Sequence, residues 1–384
     1  MSFAGYAGYA GYAGYAGYAG YAGYAGYAGY AGYAGYAGIG ALSGASMSPL
    51  VSDSLVRSRD ALAEPISAAT PRAQWAPRKW ASGPVFPTTG DDGKRLWQWE
   101  SHVRAALYDQ ELFGLIQFQV DAQSETVTLN SSVPGKKRIA ALVCPPRLTF
   151  EAQLTLVESW ATRRQERMGE LLSQTLPQVP FWASVLQLNT NRHRYTFELL
   201  ETALRFTMTM VMRFKHEFAC PRPSEYSPNV QPNLAVPGYS TLPSGHATES
   251  AMAAHLLLAL TGQGDTSPLA VQLLRLADRI SEHRVVAGLH FPVDSAAGYS
   301  LGRALAGYFV ALANGSSKAS WDSVLFNGPA FPAASDWRRP DPPSLAPLYA
   351  KRTSVNANLN GRATLLAQLW SYAQEEQRQS GFKV

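Results

Sequence analysis

The sequence predicts an all-α protein, a helical bundle preceded by an extended tail. Beyond residue 90, apolar residues recur at the spacing of α-helices through most of the chain. Segments that alternate apolar and polar residues, as half-buried strands do, are scarce. The tail is an Ala-Gly-Tyr repeat, whose period of three suits neither a strand nor an α-helix. We therefore expect helix-on-helix packing in the globular part of the chain.

Helical periodicity predicts six long helices. They are expected at residues 149–174, 192–219, 244–262, 268–286, 292–314 and 361–379. In the second of these, Leu199, Phe206 and Phe214 are among the apolar residues that share one face. Proline-containing stretches predict long loops at residues 221–242 and 325–349.

Changes in composition divide the chain into four segments. These are the Ala-Gly-Tyr low-complexity repeat (1–40), a Pro/Ser-rich linker (41–90), a helical domain that carries the candidate catalytic groups (91–315), and a Pro-rich extension with a C-terminal helix (316–384).

The repeat places a tyrosine at every third position from Tyr6 to Tyr36. In an extended helix with three residues per turn, all tyrosines form one stripe and all glycines another. The backbone groups of such a helix have no internal partners, so neighbouring chains would have to supply them. We expect the repeat to drive self-association into bundles or fibres; the alternative is a disordered, adhesive tail.

Charge and composition limit the classes of partner and the cellular locations that the sequence predicts. The net charge of +5 is small for 384 residues and no block of basic residues is present, so no nucleic-acid partner is expected. Cys144 and Cys220 lack metal-ligand spacing and are expected to be buried thiols, able to form one disulfide at most. The N-terminus has no Sec-type signal peptide and no apolar run is long enough for a transmembrane segment. We expect a soluble protein, either cytoplasmic or exported by another route.

Three separated segments carry polar groups that a helical core would not need. They are "KHEFACPRP" (215–223), "PSGH" (243–246) and "HRVVAGLHFPVD" (283–294). Lys215, Arg222 and Arg284 supply three cations, and Ser244 and Gly245 open a helix whose amide and hydroxyl groups would donate to oxygen. Such a set suits a tetrahedral oxyanion with two or three negative charges.

Each of these groups also has an ordinary structural explanation. A lone lysine or arginine near a helix end usually caps carbonyls or remains solvated. His246 would be an exposed first-turn residue, His290 a turn residue, and Asp294 an acid that favours the helix dipole. The occurrence of all of them together, in this order and spacing, favours a functional site.

The order K-x6-R-P, then P-S-G-H, then R-x5-H-x3-D resembles the signature of one superfamily. That superfamily joins type 2 phosphatidic acid phosphatases, bacterial class A acid phosphatases and vanadium-dependent haloperoxidases. The resemblance covers residues 215–294 and implies a helical bundle of the acid phosphatase/vanadium haloperoxidase type. His283 departs from the pattern, because the family usually has serine before the second arginine.

The resemblance implies a role for each matching residue. Lys215, Arg222, Ser244, Gly245 and Arg284 would bind the phosphate or vanadate oxygens. His290 would be the nucleophile that forms a phosphohistidine, or the ligand of vanadium. Asp294 would fix the tautomer of His290, and His246 would be the general acid and then the base. No divalent metal is expected, because the three cations already stabilise the transition state.

The two activities of the superfamily remain alternatives. Fungal haloperoxidases of this type usually carry tryptophan three residues before the lysine, where this chain has Met212. We therefore favour a phosphomonoesterase that acts on a small phosphorylated substrate without a cofactor. The alternatives are a haloperoxidase with vanadate as cofactor and a structural filament subunit with an enzyme-like domain.

Overall fold

The computed structural model describes residue 57 and the ranges 96–133, 135–175, 178–315, 318–339, 348–358 and 363–384. The Ala-Gly-Tyr repeat predicted at 1–40 lies outside these residues. The linker predicted at 41–90 also lies outside them, apart from residue 57. Residues Thr89–Val384 form one compact unit.

Ten α-helices occur in the described part of this unit. They are α1 (Ser101–Phe113), α2 (Arg147–Trp160), α3 (Arg164–Ser173), α4 (Val179–Leu186), α5 (Arg194–Phe218), α6 (Pro223–Tyr226), α7 (Gly245–Leu260), α8 (Pro268–Val286), α9 (Pro292–Ala313) and α10 (Thr364–Gln379). The predicted helix at 149–174 is interrupted by a 3-10 turn at Ala161–Arg163, which separates α2 from α3. The helices predicted at 192–219, 244–262, 268–286, 292–314 and 361–379 correspond to α5, α7, α8, α9 and α10.

The predicted all-α fold is wrong, because the unit also contains a five-stranded mixed sheet. Its strands are β1 (Ile116–Asp121), β2 (Thr126–Ser131), β3 (Arg138–Val143), β4 (Lys318–Asn327) and β5 (Ala350–Asn358). The strand order is β1-β2-β3-β4-β5, with β3 and β4 parallel and the other pairs antiparallel. Helix α9 packs on β3 and β4, so the sheet completes the same core as the bundle.

The strands escaped sequence analysis for two physical reasons. The first three are only six residues long. Strand β5 is largely polar and exposed, so it has no apolar face to recognise. The parallel pairing of Ala140 with Val324 also joins residues far apart in sequence, which no local pattern reveals.

The C-terminal helix is joined to the bundle by two glutamates that cap helix N-termini. The Glu376 carboxylate in α10 accepts hydrogen bonds from Tyr195 N (3.0 Å) and Thr196 N (2.8 Å) at the start of α5. The start of α10 is capped by a third helix, because the Glu111 carboxylate in α1 accepts from Leu365 N at 3.1 Å. Carboxylates at helix N-termini satisfy unpaired amides and favour the helix dipole. The two bonds to Glu376 attach the start of α5, the helix that carries Lys215, to α10.

Helices long and apolar enough to cross a bilayer are not found among the described residues. The buried face of α5 includes Leu199, Phe206 and Phe214, as its periodicity predicts. Helices α7 and α9 are buried on nearly all sides, because α5, α8, the sheet and each other surround them.

Candidate functional site

The close packing of α7 on α9 brings two of the three motif segments together. A Cβ atom on Gly298 would lie 2.6 Å from Ser244 O, and one on Gly302 would lie 2.2 Å from Thr248 O. Only glycine therefore permits this approach of the two backbones. The contact continues at the start of both helices, where Ser244 N donates to Asp294 O (3.0 Å).

Two of the predicted cations are held by the segment before α7. Lys215 Nζ donates to Ser240 O (2.7 Å) and Thr241 O (2.9 Å). Arg222 donates from Nε to Tyr239 O (3.0 Å) and from Nη1 to Leu289 O (2.9 Å). Both side chains are buried. Burial and the charge of Arg222 lower the pKa of Lys215 to about 7.

A hydroxyl and a carboxylate fix His290 from one side. Asp294 Oδ2 accepts from Phe291 N (2.8 Å), Thr241 Oγ1 (2.5 Å) and His290 Nδ1 (3.1 Å). The Thr241 hydroxyl donates its proton to Asp294, so it can only accept from His290 Nδ1, also at 3.1 Å. Both contacts require a proton on Nδ1, which leaves Nε2 with a lone pair in the neutral ring.

The charges around this pair keep His290 neutral at pH 7. Burial lowers the pKa of His290 well below its usual range, and Lys215, Arg222 and Arg284 lower it further. Burial raises the pKa of Asp294 to about 6, against the opposing effect of its hydrogen bonds. The Nε2 atom of His290 is not hydrogen-bonded to any other residue that the structure describes.

Gln174, at the end of α3, contacts the other histidine and the third cation. Its main-chain carbonyl accepts from His246 Nε2 (2.9 Å), and its side-chain Oε1 accepts from Arg284 Nη2 (3.2 Å). The same Oε1 accepts from Nδ1 of His283, the residue that departs from the family pattern (2.9 Å). Sequence reasoning missed Gln174, because it lies 72 residues before His246 in a segment without a motif.

The environment of His246 disfavours its protonated form. Burial of the ring, followed by the charge of Arg284, lowers the pKa of His246 to about 3. Burial also lowers the pKa of Arg284, to about 10. Arg284 Nε is buried and has no hydrogen-bond partner in the described part of the chain. Because Nε2 of His246 donates to Gln174, Nδ1 is the atom with a lone pair.

The helix start at Ser244 differs in one respect from the prediction. The Ser244 amide, expected to donate to an anion, is already paired with Asp294 O. The Ser244 hydroxyl accepts from Ala247 N and caps α7. A Cβ atom on Gly245 would meet a single heavy atom within 4 Å, Val211 Cγ1 at 3.9 Å, so protein packing does not crowd this residue. The hydroxyl of Ser244 and the amide of Gly245 therefore remain as donors at the N-terminus of α7.

A second residue missed by sequence analysis is Glu249. It follows His246 by three positions, so both lie on one face of α7. Gln178 Nε2 donates to Glu249 Oε2 (3.2 Å). Burial raises the pKa of Glu249 to about 7, although Lys215 and Arg284 oppose this shift. The Glu249 carboxyl therefore interacts electrostatically with two of the candidate anion-binding cations.

The motif residues therefore form one electrostatic cluster. Lys215, Arg222 and Arg284 act on the pKa of His290, while Arg284, His290 and Lys215 act on that of His246. Met212, which guided the choice between activities, is exposed on α5. His255, also on α7, lies outside the cluster, where its Nε2 pairs with Tyr299 OH (3.1 Å).

The comparisons with known proteins agree with the resemblance. The family model of the PAP2 superfamily matches residues 197–318. This range holds all three motif segments, from α5 to α9. No curated protein matches the sequence.

Proposed function

We propose that this protein is a phosphomonoesterase that acts through a phosphohistidine at His290. The premise is that residues 197–318 belong to the PAP2 superfamily. The domain is of the phosphatase/haloperoxidase type in general. The choice of a phosphatase that forms a phosphohistidine is supported by the geometry of the candidate site. One observation carries it: Asp294 and Thr241 hold the Nδ1 proton of a buried, neutral His290, so the Nε2 lone pair is available for attack.

The surrounding charges support phosphate as the bound group. Lys215, Arg222 and Arg284 would offset the charge of a phosphate dianion, and the Gly245 amide and Ser244 hydroxyl would donate to its oxygens. The unpartnered Nε of Arg284 is a buried donor available to such an oxygen. We infer that these fixed groups stabilise the equatorial oxygens in the transition state, so that no divalent metal is required.

The reaction would proceed in two displacements. His290 Nε2 attacks phosphorus, the P–O bond to the leaving group breaks, and the leaving oxygen takes a proton from His246. Nδ1 of His246 would carry that proton, since Nε2 donates to Gln174. Water then loses its proton to His246 and attacks phosphorus, which releases inorganic phosphate and restores His290. A bound dianion would raise the low pKa of His246 and allow its protonation.

Vanadate fits the same groups, and a haloperoxidase is the alternative. The donors Lys215, Arg222, Ser244, Gly245 and Arg284 would hold its oxygens, and His290 Nε2 would be its nitrogen ligand. The bound vanadate would supply activation of hydrogen peroxide for halide oxidation. Met212 remains a mild argument against this alternative, weakened by its exposed position on α5.

Parallel assays of one preparation test the proposal. The protein should hydrolyse p-nitrophenyl phosphate in the presence of EDTA, and His290→Ala should abolish this activity. His216→Gln is the matched control, because His216 is an exposed histidine on the same helix as Lys215. Bromide oxidation after vanadate loading, without phosphate release by the vanadate-free protein, would reverse the assignment.

Self-association through the Tyr6–Tyr36 repeat remains a separate proposal. Tyrosine stacking and close approach at glycine are its physical basis. Sedimentation of the full chain should show larger assemblies than a chain that begins at Ala41. Equal sedimentation of the two would contradict assembly through the repeat, and an inactive, assembled protein would favour a structural filament subunit.

A further inference from the structure

The only two cysteines of the sequence meet beside the candidate site. Cys144 follows the end of β3, and Cys220 follows Ala219, which ends α5 in a left-handed conformation. Their Sγ atoms lie 3.6 Å apart although the residues are 76 positions apart in sequence. No S–S bond joins them in this structure.

A disulfide would need only a small movement from this arrangement. Two bonded sulfur atoms lie about 2.05 Å apart, so the two Sγ atoms must approach by roughly 1.5 Å. Rotations of two short side chains can share this distance. Cys144 is partly exposed and Cys220 is buried, so an oxidant from solvent reaches Cys144 first.

We propose that Cys144 and Cys220 are a redox-active pair that a hydroperoxide converts to a disulfide, clamping the segment that holds the site cations to the sheet. The Cys144 thiolate attacks the peroxide, its O–O bond breaks, and the cysteine becomes a sulfenic acid as water or an alcohol leaves. Cys220 sulfur then attacks Cys144 sulfur and releases a second water. Two thiols lose two electrons and two protons in total, and the hydroperoxide is reduced.

The position of Cys220 explains how a disulfide to Cys144 would affect the candidate site. Cys220 N donates to Ser240 Oγ (2.9 Å), and Thr241 N donates to Cys220 O (3.0 Å). The carbonyls of Ser240 and Thr241 hold Lys215, and the Thr241 hydroxyl contacts Asp294. Cys144 follows a strand that is paired on both sides. A disulfide would therefore join the segment that supports Lys215 and His290 to a strand with hydrogen-bonded partners on both sides.

The chemistry of the two thiols gives them different roles. The hydrogen bond to Cys144, followed by burial, raises the pKa of the Cys220 thiol. Cys220 is therefore a poor first nucleophile but is in position to resolve a sulfenic acid formed on Cys144. The loop that the bond closes is long, which is the case in which a cross-link restricts the unfolded chain most.

Oxidation of the intact, reduced full chain tests this proposal without requiring activity. After treatment with equimolar hydrogen peroxide, we expect a mass lower by two hydrogens, no reaction with N-ethylmaleimide, and a linked peptide pair that contains Cys144 and Cys220. The oxidised protein should melt about 5 °C or more above the reduced protein, and dithiothreitol should reverse the change. Amide exchange of residues 220–241 should become slower.

Two variants keep the test independent of folding defects. Cys144→Ser and Cys220→Ala, each compared with itself before and after peroxide, should show no increase in melting temperature. The proposal would be overturned by any of three results after peroxide treatment: two free thiols, a sulfinic acid at Cys144, or a disulfide between two copies of the chain. Because none of these measurements uses a phosphate ester, failure of the proposed function would leave the test intact.

Discussion

Thr241 Oγ1 lies 2.5 Å from Asp294 Oδ2 and 3.1 Å from His290 Nδ1, so one hydroxyl connects the carboxylate and the imidazole of the candidate nucleophile. The segment that carries Thr241 also supplies the carbonyls that hold Lys215. The residues before the P-S-G-H motif therefore hold the charged group of Lys215 in place and also fix the tautomer of His290.

Loss of the Thr241 hydroxyl should lower turnover more than substrate binding. In Thr241→Val, His290 Nδ1 loses one of its two acceptors, and the orientation of the ring becomes less fixed. We expect kcat for p-nitrophenyl phosphate to fall about 10- to 100-fold. Thr241→Ser retains the hydroxyl and should keep most of the activity. Equal kinetics of the valine and serine variants would exclude this role.

Gln174 should act mainly on anion binding. Gln174→Met removes the acceptor of Arg284 Nη2 but keeps the main-chain carbonyl that accepts from His246. Without this contact, Arg284 is no longer held in place. We expect the Kd of inorganic phosphate, measured by calorimetry, to rise about tenfold, since a hydrogen bond to a charged group contributes roughly 1.5 kcal/mol. Gln174→Glu keeps an acceptor for Arg284 but adds a negative charge beside the anion, so it should bind phosphate more weakly than the unmodified protein. An unchanged Kd in Gln174→Met would contradict this role.

The pH dependence of anion binding should reveal Glu249. Sulfate is the probe, because its charge is constant near neutrality. As pH rises through 7, Glu249, whose raised pKa is about 7, becomes negative, and Lys215, whose lowered pKa is about 7, loses its positive charge. Both changes weaken sulfate binding. Asp294, with a pKa of about 6, contributes in the same direction in every variant.

Removal of the Glu249 charge isolates its share of this dependence. In Glu249→Gln, the slope of log Kd against pH should fall by about one proton, and sulfate should bind more tightly above pH 7. Glu158→Gln is the control, because Glu158 is an exposed glutamate on α2. A slope unchanged by Glu249→Gln would show that this carboxyl does not face the bound anion.

The close approach of α7 and α9 makes a prediction about stability. In Gly298→Ala, the new Cβ would lie 2.6 Å from Ser244 O and 2.9 Å from Ala247 Cβ, so the two helices must separate. We expect a loss of about 1–3 kcal/mol in the free energy of unfolding, measured with urea. Gly169→Ala in α3 is the control, since nothing lies within 4 Å of its Cβ, and it should stabilise the protein by about 0.5–1 kcal/mol. Equal stability of the two variants would contradict this packing role.

The sequence predicted those parts of the protein that depend on local patterns. Helix α8 begins at Pro268 and ends at Val286, as its proline and apolar spacing indicate. The three motif segments carry their chemistry in consecutive letters, which is why Lys215 and His290 could be named without a structure. Residues whose importance depends on distant partners could not be found in this way.

Gln174 and Thr241 were missed for the same physical reason, because their partners are far away in the sequence. Gln174 acquires its role from residues more than 70 positions away, and Thr241 pairs with a carboxylate 53 positions later. Neither relation leaves a spacing signal in the chain. Glu249 alone could have been noticed, as a second polar group on the helix face of His246. The sheet was missed because β1, β2 and β3 are short, β3 pairs with the distant strand β4, and strand β5 has a polar, exposed surface.

Trapping of the covalent intermediate tests the central claim most directly. The variant His246→Ala lacks the group that activates water. Because p-nitrophenolate leaves without needing a proton, the first displacement should still occur, and the phosphorylated protein should accumulate. After an acid-free quench, we predict one phosphoryl group per chain, stable in base and labile in acid, on the peptide that contains His290. Phosphate release without any label on His290, or a label on another residue, would contradict the account.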